Sequence, residues 1–473
     1  MPVVAATIAV TDAGDAGGAA TCTLRQAIAA ANTDTVIGIC AAGSGDDTIV
    51  FTPLLSYSTI SLTAGALAVN TPIAIAGSGQ TIDAGGNSRV FTIASTTFGA
   101  SDLTLTNGHA TGTSKSGGAL SADASAVTLS RVIISGNNAD FDAGAIYSNG
   151  GSLRLADCTI QGNSALSGSH STGGIVVDAA TLDISNTLID SNSGTKVGGL
   201  RLISSQTTAR QSAFSNNTAQ CTHAYCAGGV YASGGTVDMV GMTITGNRAQ
   251  GAIGYLSGGV YLFNSAATLT NATIASNSAQ GTDFVAGAIW ETHAQSGSSA
   301  NGLSCVHCTV ASNTSVGTNP AARKLGAVLI NVFNPAGFAG RLTLNNSIVT
   351  DNQPAHSDLL FDNATISATY NLLGSAQDAS PFSDPANHNV FSDTPELGPL
   401  QYNGGQPLML TLLPSGTSPA LNIGSAALAK VGGVALMFDQ RGDPFSRNVG
   451  APDAGAAEFQ FDRIFGEGFE PGP

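Results

Sequence analysis

The stretch Gly228–Asn247 reads GGVYASGGTVDMVGMTITGN, and the stretch Gly258–Asn277 reads GGVYLFNSAATLTNATIASN. Each opens with a Gly-Gly-apolar mark and closes with an apolar-x-x-Asn mark. The opening mark, with Gly or Ala in second place, recurs eight times, at Gly117, Gly144, Gly173, Gly198, Gly228, Gly258, Gly287 and Gly326. The closing mark recurs in step, at Asn137, Asn163, Asn192, Asn217, Asn247, Asn277, Asn313 and Asn352. Such a period indicates a repeat protein, whose units pack mainly on their neighbours.

Within each unit, the apolar residues alternate over short runs. In the unit that ends at Asn247 they are Val237, Met239 and Ile244. Period-two alternation over so few residues predicts strands, and no unit holds the ten or more residues of helical periodicity that a helical repeat needs. Short strands in a repeat of this length favour an all-β fold, a single-stranded right-handed parallel β-helix with one unit per coil.

The repeated asparagines need an explanation of their own. Stacked coils bring them into one column, where a buried amide can bond to backbone groups of the next coil. We therefore expect the asparagine column to be structural and not to bind a ligand. Six residues before the asparagines stand residues suited to bends, among them Asp157, Asn186 and Asn271.

The two ends of a β-helix must be covered, because an open end is an exposed strand edge. The segment Thr23–Asn32 has Leu24, Ala27 and Ile28 on one helical face, which predicts an amphipathic capping helix. We therefore divide the chain into an N-terminal cap (1–50), a parallel β-helix (51–375) and a looped C-terminal cap region (376–473), in which Pro, Asp and Asn become frequent.

Composition limits the class of protein. The 473 residues include 59 glycines, only 10% charged residues and 42% hydrophobic residues, which excludes intrinsic disorder. A net charge of −15 argues against nucleic acid as a partner. No apolar run approaches the ~20 residues of a transmembrane helix. The opening residues lack a basic segment and a long apolar segment, so we expect a signal peptide to be absent or already removed.

The seven cysteines predict an oxidising compartment. Cys22 and Cys40 bracket the capping helix, and Cys221 and Cys226 bracket a tetrapeptide, so two local disulfides are expected. Cys158, Cys305 and Cys308 remain, an odd number that leaves at least one free thiol. The segment Cys305–Cys308 lacks a second ligand pair for zinc, so no metal site is predicted.

One outward column offers candidate catalytic residues. Arg154 precedes Asp183 by one unit, and Asp238 follows two units later. Two carboxylates separated by two coil rises, ~9.6 Å, stand at the upper limit for an inverting glycosidase. The alternative is a surface ion pair beside a solitary, solvated Asp238. No column carries carboxylates on adjacent coils, as a calcium site would prefer.

Two further columns are aromatic. The column three residues before the Gly-Gly mark includes Tyr225, Tyr255 and Phe284, and the column three residues after its first glycine includes Tyr231, Tyr261 and Trp290. Because the residue before each member of the second column should point inward, we expect these rings to project outward. They predict either an exposed strip that binds sugar rings or a partner, or an intramolecular stacking ladder that stabilises the coils.

Several segments resemble known bacterial surface proteins. Cys22-Thr23-Leu24-Arg25-Gln26-Ala27-Ile28 resembles the CSLREA motif of secreted β-helix proteins, with Gln26 where Glu is usual. Phe214-Ser215-Asn216-Asn217 and the Gly-Gly marks resemble the GGAI/FxxN repeats of polymorphic outer-membrane proteins. The segments 418–421, 439–442 and 453–459 resemble the choice-of-anchor Q domain. The resemblance implies a pectin-lyase-like solenoid at the cell exterior, and it carries no shared catalytic motif.

These observations favour a secreted or cell-surface adhesin or binding scaffold for a polysaccharide or a surface protein. The alternative is a polysaccharide lyase or glycoside hydrolase that uses the face with Arg154, Asp183 and Asp238. A third hypothesis is a rigid spacer of the envelope. We expect a monomer without a cofactor, apart from calcium if the protein is a lyase.

Overall fold

The computed structural model describes residues 5–112, 115–168, 170–293, 302–319, 322–332, 340–355, 358–361, 364–377, 380–447 and 451–460. Residues 1–4, part of the segment behind the expectation about a signal peptide, lie outside these ranges. So does 461–473, the end of the predicted C-terminal cap region.

The described chain is all-β, and its principal sheets are parallel. The main sheet has 27 strands: Thr7–Val10, Asp47–Phe51, Thr59–Ser61, Leu67–Val69, Ile73–Asp83, Phe91–Ala94, Thr97–Thr106, Leu120–Ser130, Ile133–Ser135, Ile146–Ala156, Thr159–Gln161, Ile175–Asp178, Thr181–Ser185, Leu188–Asp190, Leu200–Ser215, Val230–Thr245, Val260–Phe263, Ala266–Ala275, Ile289–His293, Gly302–Ala311, Val328–Val332, Gly340–Asn345, Ile348–Val349, Leu359–Phe361, Ala364–Thr369, Leu372–Leu373 and Val390–Phe391.

Two smaller parallel sheets accompany it. The first has eight short strands: His109–Ala110, Asn138–Ala139, Ser164–Ala165, Ser193–Gly194, Thr218–Gln220, Arg248–Gln250, Ser278–Gly281 and Thr314–Gly317. The second, which we call the outer sheet, has four: Cys226–Ala227, Leu256–Ser257, Phe284–Ala286 and Arg323–Leu325. Antiparallel hairpins join Gln401–Tyr402 to Leu410–Thr411 and Lys430–Val431 to Val434–Ala435. Short 3-10 helices span Pro53–Leu55, Ser375–Gln377 and Pro385–Asn387.

Strands of successive repeats pair residue for residue. Leu200–Ser215 lies beside Val230–Thr245, which lies beside Val260–Phe263 and Ala266–Ala275. Equal positions of the repeat therefore form columns, and the inward columns build one buried apolar core along the stack. The predicted all-β class with parallel strands is confirmed.

The asparagine column is buried and self-supporting. The backbone N of Asn192 donates to Oδ1 of Asn217 at 3.0 Å, and Nδ2 of Asn192 donates to the same atom at 3.0 Å. Asn217 repeats both bonds with Asn247, and its Nδ2 also reaches the carbonyl of Ile189 at 2.9 Å. The same two hydrogen bonds link each asparagine to the next as far as Asn352. These residues therefore have the structural role that the sequence predicts.

The column six residues before the asparagines, here called the bend column, marks bends in the backbone. Its non-glycine members have positive φ: Arg131 (53°), Asp157 (56°), Asn186 (46°), Gln211 (48°), Asn271 (49°), His307 (52°) and Asn346 (52°). Asn and Asp tolerate this left-handed backbone better than most residues. The predicted bends are thus observed.

The N-terminal helix, Leu24–Thr33, packs its apolar face on the first strands. Thr23 and Gln26 form a reciprocal capping box, in which Gln26 fills the place that Glu holds in the resembling motif. Arg25 donates to Asp15 at 2.7 Å, and Asp15 also accepts from the backbone of Thr63. The predicted Cys22–Cys40 disulfide is confirmed, with Cα atoms 4.9 Å apart.

The predicted disulfide between Cys221 and Cys226 is wrong for this structure, because both are buried free thiols. Cys226 Sγ donates to the carbonyl of His223 at 3.0 Å, and both side chains pack in a small apolar cluster with Leu256 and Val285. Burial, followed by contact with Cys226, raises the pKa of Cys221. These contacts satisfy each thiol without a covalent bond between them.

Cys158, Cys305 and Cys308 are also buried free thiols. Cys158 Sγ lies 3.4 Å from the carbonyl of Leu129, and Cys308 Sγ lies 3.4 Å from that of Leu269. Contact with the Cys308 thiol and burial raise the pKa of Cys305. The prediction of at least one unpaired thiol is confirmed.

The C-terminal region does more than cover an end. Phe382 joins the main core beside Phe361, with ring centroids 5.8 Å apart. The chain then turns back along the bend column: Gln440 Nε2 donates to the carbonyl of Met242 at 2.8 Å, and Arg447 Nη2 donates to Oδ1 of Asn271 at 2.8 Å. The predicted cap therefore continues as a lateral cover of the later repeats.

Candidate functional site

Tyr231, Tyr261 and Trp290 form an inner aromatic row. They are register partners on three successive units, and their ring centroids are 5.3 Å and 5.2 Å apart. The rings lie outside the main core and belong to a second apolar cluster with Leu325 and other residues. The expected direction of these side chains is therefore correct.

Their expected exposure is wrong. Tyr231 is 5% exposed, and Tyr261 and Trp290 are fully buried. Ala286 and Leu325 of the outer sheet pack in the same cluster as the rings. The inner row is therefore an intramolecular stacking ladder.

Tyr225, Tyr255 and Phe284 form an outer aromatic row. Successive ring centroids are 5.2 Å apart, with interplanar angles of 30° and 10°. Tyr225 is 36% exposed, and the other two are half-buried. Because the rings stack on one another, the row presents ring edges to solvent along its length and leaves a ring face open only at an end.

Cations lie against both rows. Lys196 Nζ is 4.9 Å from the centroid of Tyr231, and Arg323 Cζ is 5.7 Å from that of Phe284, distances at which a cation and a ring face attract. Burial, followed by the nearby charge of Arg201, lowers the pKa of Lys196.

A cavity of about 320 Å³ lies on the N-terminal side of these rows. Phe141, Tyr147 and His170 contribute rings to its wall, and Arg201 and Asp178 contribute charges. Phe141 and His170 occupy the sequence column of the outer row. Tyr147 and Arg201 occupy that of the inner row, in which Arg201 is the register partner of Tyr231.

Arg201 is held in place by its neighbours. Its Nη1 donates to Oδ2 of Asp142 and to the carbonyl of His170, each at 2.9 Å. Oδ1 of Asp142 accepts from the backbone N of Ala143 and of Thr172. Burial raises the pKa of Asp142 more than Arg201 lowers it. Nε of Arg201 is buried without a hydrogen-bond partner, so the guanidinium retains an unused donor.

The cavity combines groups that suit a sugar. Phe141 is 49% exposed, so it offers an apolar ring surface to the apolar face of a pyranose, while Arg201 and Asp178 offer partners for hydroxyl groups. Such a mixture of aromatic walls and a few polar groups is typical of small-ligand pockets. The sequence interpretation missed Asp142 and Arg201, although the position of Arg201, three after Gly198, would have placed it in the inner column.

The candidate catalytic residues form surface ion pairs. Arg154 and Asp183 are register partners, with Nε and Oδ2 3.7 Å apart and both side chains at least half exposed. Asp238 pairs with Arg210 at 3.4 Å, so the alternative of a solitary aspartate is wrong. Exposed pairs of this kind contribute little energy.

Among the described residues, no second carboxylate lines the cavity that Asp238 lines. This cavity, of about 360 Å³, includes Thr268, Ser304 and Arg341, and Asp238 is the only carboxylate among the described residues that line it. The described residues also contain no group of three or more His, Cys, Asp or Glu side chains placed to hold a metal ion.

Comparisons with known proteins leave the family open. Neither protein-family models nor curated proteins give a match to this sequence. Within the described part of the chain, no helix is long and apolar enough to cross a bilayer.

Proposed function

We propose that this chain is a right-handed parallel β-helix surface protein of the adhesin type, secreted to the cell exterior, which binds glycans on its lateral face. The in-register pairing of successive repeats supports the helical fold. The confirmed Cys22–Cys40 disulfide supports an oxidising compartment.

The cavity beside the aromatic rows carries the binding proposal. We place the glycan there and not along the outer row, because stacked rings expose edges, whereas Phe141 has free ring surface. Arg201 lines this cavity and has a buried Nε without a hydrogen-bond partner, and Asp178 supplies a carboxylate acceptor. A volume of about 320 Å³ is at the small end for ligand sites, which suits one or two sugar rings.

Titration with neutral and acidic oligosaccharides, followed by calorimetry, tests the proposal. We expect Phe141→Ala to weaken binding about fivefold to tenfold, since an aromatic stacking contact contributes on the order of 1 kcal/mol. Tyr402→Ala is the matched control, because Tyr402 is 53% exposed and lies in the C-terminal hairpin. Equal affinity of both variants and the parent chain would overturn the site.

Catalytic activity is tested on the same mixtures of protein and oligosaccharide. We derive no catalytic step, because Asp183 and Asp238 are each paired with an arginine. New reducing ends or unsaturated products that Asp183→Asn abolishes would contradict a binding-only function and favour the lyase or hydrolase. An absence of all binding would favour a rigid spacer.

A further inference from the structure

The loop that follows Asp47–Phe51 contains an exposed aromatic residue, Tyr57, whose backbone conformation is energetically costly. Tyr57 is 84% exposed and has a φ of 59°, which is uncommon for a bulky residue. Leu54, in the same loop, is 95% exposed. The loop is nevertheless fastened, because Tyr57 N donates to the carbonyl of Ser78 and Gln80 Nε2 donates to that of Leu55.

The ring of Tyr57 rests on a glycine. A Cβ atom at Gly79 would lie 2.4 Å from Cδ1 of Tyr57, so the absence of a side chain there lets the ring lie against the backbone. One side of the ring is thus supported. Its high exposure leaves the other side open to solvent.

A cavity of about 420 Å³ lies beside this ring, lined also by Asp102, Arg131 and Ile133. Nε and Nη2 of Arg131 each donate to one carboxylate oxygen of Asp102 at 2.7 Å. The two side chains remain 57% and 36% exposed. A bidentate pair of this kind presents fixed hydrogen-bonding groups whose charges cancel.

Asp102 extends the bend column, which begins at Arg131, toward the N-terminus. The C-terminal region covers later members of that column, as at Asn271 and Asn346. It shares no contact with Tyr57, Asp102 or Arg131 among the hydrogen bonds of the described residues, and all three side chains are open to solvent. This groove is therefore built from residues different from those of the Phe141 cavity.

We propose that the groove formed by Tyr57, Asp102 and Arg131 is a second binding site, for a neutral oligosaccharide. Tyr57 supplies the stacking face, and the Asp102–Arg131 pair donates to and accepts from sugar hydroxyls. An uncharged ligand fits because the paired charges cancel and the chain carries a net charge of −15, which repels polyanions. With the Phe141 cavity, the site would make one chain bivalent.

The test uses the full-length Phe141→Ala variant, in which the first site is weakened. Calorimetry with neutral and uronic-acid oligosaccharides should show remaining binding of the neutral ligand only. Adding Tyr57→Ala should weaken that binding at least tenfold, whereas Tyr57→Phe should retain it because the ring face is kept. Arg131→Gln should weaken it by a smaller factor.

The two proposals fail in different ways. If Phe141→Ala alone abolishes all binding, the second site is wrong and the first stands. If Tyr57→Ala in the parent chain removes all binding, the first site is wrong and the second stands. Unchanged affinity of Tyr57→Ala in the Phe141→Ala chain, with circular dichroism and melting like the parent, would overturn the second site, as would tighter binding of the acidic ligand.

Discussion

The asparagine column and the aromatic rows both stack along the repeats, yet they differ in extent and in surroundings. The asparagine column passes through every repeat from Asn137 to Asn352, and its members are at most 2% exposed. The aromatic rows occupy only three units, and one of the two rows is partly open to solvent. A column present in all units supports the whole stack, whereas a row confined to three units stabilises only those units.

The largest expected effect breaks the asparagine column at its middle. Asn217→Ala removes the Oδ1 atom that accepts both the backbone N and Nδ2 of Asn192. The backbone N–H of Asn192 and one of its two Nδ2–H groups then lack a partner, at about 1–3 kcal/mol each, so the free energy of unfolding should fall by about 3–5 kcal/mol in denaturant titrations. Asn216→Gly is the matched control, because exposed Asn216 has a φ of 54° that glycine adopts freely. Equal losses in the two variants would contradict a special role for the column.

The next prediction concerns the end of the same column. Asn352 Nδ2 donates to Oδ1 of Asp358 at 2.8 Å, and burial raises the pKa of Asp358 to about 6 despite that bond. A carboxyl whose folded pKa is raised binds its proton more tightly in the folded state, so stability is highest below its ordinary pKa and declines as pH rises through about 6. The decline should be up to about 3 kcal/mol.

Asp358→Asn tests this prediction, because the amide Oδ1 still accepts from Asn352 while the titration is lost. Thermal unfolding between pH 4 and pH 8 should then show a decline that is smaller by up to about 3 kcal/mol, while the part that comes from Glu458, whose pKa burial raises to about 7, remains. A decline of the same size in both chains would mean that another group causes it.

The smallest expected effect is a change of opposite sign in the free energy of unfolding for two variants of the inner row. The hydroxyl of Tyr261 is buried without a partner, whereas the side chain of Ser233 interacts with Tyr231 and opposes the rise in its pKa that burial causes. Tyr261→Phe should therefore raise the free energy of unfolding by about 1 kcal/mol, and Tyr231→Phe should lower it by about 1 kcal/mol. Chemical denaturation measures both, and a loss of stability in Tyr261→Phe would show that its hydroxyl has a partner.

The glycan tests extend the comparison to function. Phe141→Ala and Tyr57→Ala should change binding and have little effect on the free energy of unfolding, because Phe141 is half exposed and Tyr57 is largely exposed. Asn217→Ala should do the reverse.

The features predicted correctly are local or periodic. Val237, Met239 and Ile244 alternate within one unit, the asparagine of the closing mark repeats in every unit, and Leu24, Ala27 and Ile28 lie on one face of the N-terminal helix. Each depends on neighbours in sequence or on the repeat itself. The Cys22–Cys40 disulfide could be predicted because a single short helix separates the two residues.

The features predicted wrongly depend on segments without periodicity. Strands of two or three residues, such as Leu256–Ser257 and Arg323–Leu325, leave no alternation to detect, yet they form the outer sheet over Tyr261. Arg210 pairs with Asp238 from a different column, so following one column left Asp238 unpaired. The thiols of Cys221 and Cys226 find backbone partners, which their spacing does not indicate.

The sequence by itself determined the repeat, the strands, the asparagine column and the N-terminal helix, because each follows from spacing along the chain and from the side-chain period of a strand. The tertiary structure decided which surfaces meet solvent. The outer sheet buries Trp290 and Tyr261, and the C-terminal region covers the later bends at Asn271 while Arg131 stays open. Burial depends on which distant segments pack over a surface, and the sequence of a single repeat does not determine that packing.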